Sequence, residues 1–432
     1  MSPAPAEAAA IRPEEPIRLL QRRTVRSLAI AQIIGTMGVA VTPVIGVLLA
    51  QQVTDSEIWA GLARTGSTLG AALGGLPLAT LAVRRGRRWA LTTGWSVSAL
   101  GAMTLILAAQ WQSLTALLIG LLIAGVGTAT QLQARFAATD LAAPIQKARA
   151  LSTVVWIGTL GSVIGPNLGG PGEWLARRLH LADLGGAFVF AAAALLLAGG
   201  TTAVLLRPDP LLTAAARNEP APQAPGPARR LAVVSEVRDL ARSNPAARLA
   251  IAAIITAQVL MVAVMTMAPM HMSDVGGSLT VVGISISLHI VGMYGLAPIA
   301  GAVSDRFGAA TGIALGAVLF AASFAVAIID AGSMSAVTGS LILLGLGWSF
   351  MGVAGAASLS AAVADDRRAR VQGFADTASN LAAAVAAFLG GPVMWGFGYD
   401  GLATAAAIAM LPVCILLIGR GSARNIPEPA TR

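Results

Sequence analysis

Apolar runs of twenty or more residues recur twelve times along the chain, separated by short polar breaks. At a rise of about 1.5 Å per residue, each run is long enough as a helix to cross a hydrocarbon layer of about 30 Å. The predicted spans are 27–50, 57–83, 87–109, 113–139, 150–171, 184–206, 248–270, 280–303, 309–330, 336–363, 370–394 and 400–419. Breaks this short force neighbouring spans to run antiparallel.

The longest break, 207–247, divides six spans from six. Its proline-rich start favours extended backbone, whereas Arg230-Leu-Ala-Val-Val-Ser-Glu-Val-Arg-Asp-Leu240 has helical spacing suited to a membrane surface. The chain therefore reads as an N-terminal segment (1–26), a first bundle (27–206), a linker (207–247), a second bundle (248–419) and a tail (420–432).

Repeated features relate the two bundles. Gly301-Ala-Val-Ser-Asp305-Arg306-Phe-Gly308 stands between spans 8 and 9, and an eroded copy, Ala79 to Arg88, stands between spans 2 and 3. Gly125-Val-Gly127 in span 4 matches Gly345-Leu-Gly347 in span 10, and the basic breaks Lys147-Ala-Arg149 and Arg368-Ala-Arg370 follow them. Such spacing implies a duplicated bundle, the organisation in which two halves rock around a shared site. The predicted fold is thus an all-α membrane protein of twelve transmembrane helices in two pseudo-symmetric six-helix bundles.

Composition agrees, at 56% hydrophobic and 11% charged, which is more apolar surface than a water-soluble core hides. A net charge of +9 would suggest nucleic acid in a soluble protein. Here all but four of the 29 basic residues fall on one side of the predicted topology, so the charge sets orientation and nucleic acid is not an expected partner. Both termini are expected in the cytoplasm of a bacterial inner-membrane protein. The single cysteine, Cys414, lies in the last span and excludes an intramolecular disulfide.

The repeated break resembles the G-x-x-x-D-R-x-G-R-R motif of the major facilitator superfamily, and the likeness covers nearly the whole chain. In the second half Gly301, Asp305, Arg306 and Gly308 match, with Arg368 and Arg370 as expected neighbours. The first half keeps Arg84, Arg85, Arg87 and Arg88 but has Val83 and Ala79 in place of the Asp and Gly. The resemblance implies a cytoplasmic gate of paired charges, with Asp376 as a partner for one of the first-half arginines. Span 5 carries Gly161, Gly165, Pro166, Gly169 and Gly170, a smooth face with a kink. That pattern resembles the motif of the twelve-helix drug:proton antiporter branch and implies export coupled to protons.

Ionisable and polar side chains within the spans are the candidate chemistry, since a charge in the bilayer needs a partner or water. His289, Asp376 and Asp140 are the candidates for proton coupling; for each the sequence leaves a second role open, helix packing for His289 and a gate ion pair for the carboxylates. Gln32, Arg64, Gln131, Arg135, Trp156, Gln258, Met293, Tyr294, Trp348 and Asn380 are candidates for the lining of a substrate cavity. No phosphate loop, metal-ligand cluster or nucleophile elbow occurs, so no cofactor and no enzymatic activity are expected. The expected partners are a small molecule, protons and lipid, with the chain acting as a monomer. An organic-anion or metabolite antiporter, and a transport-inactive receptor of the same fold, remain alternatives to an exporter of amphipathic molecules.

Overall fold

The computed structural model describes residues 15–55, 57–143, 146–216 and 227–424. Among these the ordered elements are helices: α1 (Glu15–Thr54), α2 (Glu57–Arg85), α3 (Arg87–Trp111), α4 (Leu114–Ala124), α5 (Val126–Ala137), α6 (Lys147–Ile164), α7 (Gly169–Leu179) and α8 (Gly185–Leu205). Two helices, α9 (Pro210–Ala215) and α10 (Pro227–Ser243), lie in the linker. The second half holds α11 (Pro245–Asp274), α12 (Leu279–Gly295), α13 (Ala297–Phe307), α14 (Ala309–Ile329), α15 (Met334–Ala362), α16 (Asp365–Ala409) and α17 (Leu411–Arg424).

Several spans are built from two helices. α4 and α5 meet at Gly125, α12 and α13 at Leu296, and α6 joins α7 through a 3-10 turn, Gly165–Leu168, whose Pro166 interrupts the backbone ladder. Among the described residues, eleven stretches are long and apolar enough to cross a membrane. The last, Val371–Gly419, has 49 residues, enough for two crossings, and breaks at Gly398, where φ is +72°. The eleventh and twelfth predicted spans are thus separate helices that meet at a sharp corner, where Gly398 turns the chain without a long loop.

Helix starts follow from local chemistry. The Ser113 side chain accepts from Ala116 N at the head of α4, and Ser333 accepts from Ala336 N at the head of α15. Gly86 and Gly308, which precede α3 and α14, have φ of +93° and +88°. Only glycine adopts this backbone without strain, so the repeated glycines mark the same corner in both halves. These matched caps and corners are the physical form of the duplication.

Within each half, small residues let helices approach closely. Trp95 of α3 is 1% exposed and fills the space over Gly35 of α1. Gly101 packs on the backbone of Ala124, and Gly316 of α14 packs on Met351 of α15. Between the halves, α12 packs on α6, the 3-10 turn and α7, α11 packs on α1, and α16 packs on α2.

The linker helix departs from expectation. Val233, Val237 and Leu240 of α10 pack with Ala247 and Ala250 of α11, Leu359 and Val363 at the end of α15, and Val371 and Ala375 of α16. Its apolar face is therefore covered by protein rather than lipid. Glu236 adds an ion pair to Arg367 at 3.6 Å. The proline-rich segment at 217–226 and the tail from 425 lie outside the described residues.

Candidate functional site

The antiparallel order of spans gives the molecule a basic end, holding the linker and the arginine-rich breaks, and a far end. At the far end the halves are clasped. The smooth face of α6 seats on α1: a Cβ on Gly161 would run into Ile33 O and Thr36 Oγ1, and one on Gly165 would lie 2.5 Å from Met37 O. Beyond the kink, Gly170 faces Thr280, and a Cβ on Gly283 of α12 would meet Pro166 O at 2.6 Å. Asn167 Nδ2 donates to Ser287 Oγ at 2.6 Å, and Ser287 Oγ is 2.6 Å from Val163 O. Pro166 frees carbonyls in this turn, and the clasp occupies that irregular backbone.

On the first-half face, Gln32 is 2% exposed and its Oε1 has no hydrogen-bond partner. Its side chain lies over Gly158, whose carbonyl accepts from Thr36 Oγ1 at 2.8 Å. Gln131 is half-buried on α5, one turn before Arg135. Arg64 is half-buried on α2 with no side-chain hydrogen bond or ion pair to another described residue. Trp156 is 61% exposed on a stripe of α6 shared with Leu160 and Ile164, apart from the other aromatic candidates.

The second half assembles an aromatic corner. Tyr294 of α12 and Trp348 of α15 meet edge to face, with ring centres 5.6 Å apart and planes at 67°. Trp348 Nε1 donates to Gln258 Oε1 of α11 at 2.8 Å, which fixes the indole. Met261, Met265 and Met293 surround the pair, with Ala383 and Ala387 of α16 alongside. Four candidates from three helices, Gln258, the neighbours Met293 and Tyr294, and Trp348, are thus brought together.

Arg135 of α5, in the first half, acts electrostatically on this corner. Its guanidinium lies within electrostatic reach of Tyr294 and Asp376, and its buried Nε has no hydrogen-bond partner. Asp376 is exposed on α16, and its carbonyl accepts from Asn380 Nδ2 at 2.8 Å. Arg135 is thus a cation that acts on Asp376, whereas the motif resemblance pointed to one of the arginines at 84–88.

Those arginines have other engagements. Arg87 Nε donates to Asp140 Oδ2 at 2.8 Å and Nη1 donates to Gln133 Oε1 at 2.7 Å, so the pair lies within the first half. Asp140 is accordingly an ion-pair residue in this structure. Burial pushes its carboxyl above the ordinary value, and Arg87 pulls it partway back. Asp209, which caps α9, also accepts from Arg88 N at 2.8 Å and lies where a Gly86 Cβ would stand. Arg84, Arg85, Asp305, Arg306 and Gly308 are exposed, Gly301 is half-buried, and the side chains of Arg368 and Arg370 lie outside those described.

His289 is 0% exposed between α12 and α15, with Nδ1 bonded to Leu341 O at 2.7 Å. Its placement fits the packing role left open by the sequence, since a proton carrier needs water on one side. Sequence reading passed over Asn167, Ser287, Gln133 and Asp209. Of these, Asp209 followed by Pro210 carried a helix-start signal and the others carried none.

These observations define a helical membrane protein with a polar and aromatic corner shared between two related halves. The family model for the Major Facilitator Superfamily matches residues 28–276 and 249–431, and the chain belongs to that family. It is similar to the MFS-type transporter YddS of Bacillus subtilis (strain 168), 35% identical over 402 residues, covering 92% of this chain and 91% of that protein. It is 36% identical over 405 residues to YdeG of the same organism, covering 93% of each. The riboflavin transporter RfnT of Brucella anthropi is 29% identical over 414 residues, covering 93% of this chain and 98% of that protein. Among solved structures, the nucleoside transporter NupG aligns with a TM-score of 0.65 at 15% identity, covering 94% of this chain and 99% of that one. A bacterial homolog of the human lysosomal transporter Spinster, inward-facing and unoccupied, aligns with a TM-score of 0.64 at 16% identity, covering 93% of this chain and 96% of that one. The protein is a multi-pass membrane transporter and not an enzyme.

Proposed function

We propose that this transporter exports a small amphipathic molecule in exchange for protons, by alternating access. Units 27–206 and 248–419 rock about the 207–247 linker in a bacterial inner membrane, with the basic end in the cytoplasm and one chain as the working unit. The observation that carries the reading is the asymmetry between the two ends. At the far end the Asn167–Ser287 bond, with Gly169 and Gly170 of α7 against Leu279 and Thr280 of α12, binds the halves together. At the basic end Arg84, Arg85, Asp305 and Arg306 are exposed, with no ion pair to the other half among the described residues. A clasped end, and an opposite end without such a cross-half ion pair among the described residues, support a mechanism of alternating access.

The test is a pump-deficient host carrying the gene, grown on a panel of toxic amphipathic compounds, riboflavin analogues included, beside proteoliposomes with an imposed pH gradient. Protection of the host, together with substrate movement that stops when the gradient is collapsed, is the expected result. Movement that ignores the gradient would remove the proton coupling, and tight binding without movement would favour a receptor of the same fold.

A further inference from the structure

Arg135 is a first-half cation that lies within electrostatic reach of Tyr294 in the aromatic corner of the second half. It is expensive to hold a guanidinium in a membrane bundle, and this one keeps a buried Nε without a hydrogen-bond acceptor. Asp376, exposed on α16, is a carboxylate within its electrostatic reach. The planar fork of Arg135 therefore has donor capacity left for a second oxyanion.

Beside it stand surfaces suited to a flat ring. Tyr294 and Trp348 form an edge-to-face pair, and the Gln258 bond to Trp348 Nε1 holds the indole in one orientation. Three methionines mould to a planar guest, and Ala383 and Ala387 keep the α16 wall thin. Tyr294 takes part in both features, since it touches Trp348 and lies within reach of Arg135. The ring surface and the cation thus act on one side chain, Tyr294.

We propose that this corner binds a flat aromatic molecule bearing a carboxylate or comparable oxyanion, with its ring against Trp348 and Tyr294 and its charge on Arg135. A cationic guest of the same shape would face Arg135 with a single carboxylate to offset it, and is disfavoured. The assignment names the substrate class for the transporter reading and rests on that reading only for the step of moving the guest across the membrane.

Full-length protein in nanodiscs is titrated with 2-naphthoate and with its uncharged analogue 2-naphthamide, followed by equilibrium dialysis. The naphthoate should bind at least tenfold more tightly than the amide. Arg135→Gln should remove that preference, lowering naphthoate affinity about tenfold while leaving the amide unchanged, and Arg135→Lys should restore part of it. Asp376→Asn should act in the opposite direction, tightening naphthoate because the competing carboxylate is gone. Trp348→Ala should weaken both probes together.

Equal affinity for the two probes, no binding of either, or a naphthoate affinity indifferent to Arg135→Gln in a monodisperse preparation would overturn the assignment. The opposite shift with Asp376→Asn keeps the test decisive where a variant at Arg135 folds poorly. Naphthoate that binds through Arg135 but is never moved in proteoliposomes leaves the site standing and removes the transporter reading instead.

Discussion

Asn167 of the first half donates to Ser287 of the second at 2.6 Å, joining two helices that lie 120 residues apart in the chain. The bond sits beside the kink at Pro166, so the clasp and the bend occupy one place. A transporter that alternates must break this contact in its other state. Removing one such hydrogen bond is worth about 1 kcal/mol, or about a fivefold change in the open population. In a Cys414→Ser background, Thr280→Cys should therefore react about fivefold faster with an impermeant maleimide when Asn167→Ala is added. An unchanged rate would mean that the clasp is held by packing alone.

The glycines beneath the clasp make a harder constraint. A Cβ on Gly165 would lie 2.5 Å from Met37 O and 2.7 Å from the Ala40 Cβ, both on α1. Backbone cannot yield as a side chain does, so α1 and α6 must separate. Gly165→Ala should cost about 1–3 kcal/mol and lower the melting temperature in detergent. Gly352→Ala, where a new Cβ meets nothing within 4 Å, is the control and should leave it unchanged.

How far the sequence carries depends on distance along the chain. The apolar runs, the linker and the repeated Gly86 and Gly308 were legible because each is a local property: hydrophobic length, proline content, or a corner that needs positive φ. The break between the eleventh and twelfth spans was also legible, at 395–399, but that Gly398 turns it within a single residue was not. The meeting of Gln258, Tyr294 and Trp348 needed the fold, because α11, α12 and α15 set their distances. Docking of α10 was hidden for a different reason. Val233, Val237 and Leu240 give the same apolar stripe whether lipid or protein covers it.

Asp140 yields a pH prediction. Burial holds its carboxyl above the ordinary value despite the hydrogen bond from Arg87. The folded state then binds the proton more tightly than the unfolded chain does. Its contribution to stability is complete below the unfolded value of about 3.9 and is lost as pH rises through the folded value. Asp140→Asn lacks this component. The melting temperature of the unmodified protein relative to Asp140→Asn should therefore fall as pH rises through the window just above about 4. A difference that grows with pH would reverse the sign.

The linker helix gives a prediction about local order. Val237 is buried among Ala247, Val363 and Val371, while Glu236 pairs with Arg367 at 3.6 Å. A carboxylate at position 237 has no partner there and costs more than the remaining contacts return. Val237→Glu should release α10 and raise the rate of tryptic cleavage in the linker several-fold, with the membrane helices intact by circular dichroism. Arg367→Gln, which removes only a half-exposed ion pair, should change the rate by less than about twofold.

His289 separates two kinds of buried group. Its depth in the span recommends it as a proton carrier when the sequence alone is read. The fold encloses it between α12 and α15, at 0% exposure, with Nδ1 on Leu341 O and Gly345 so close that a Cβ there would strike the His289 carbonyl. A ring held this way meets no water in this state. His289→Gln should therefore keep the pH profile of transport while lowering the melting temperature, because the amide cannot reproduce both the ring's packing and its bond to Leu341. If the profile flattens instead, with the fold intact, the imidazole reaches water in the other state and the coupling site lies between α12 and α15.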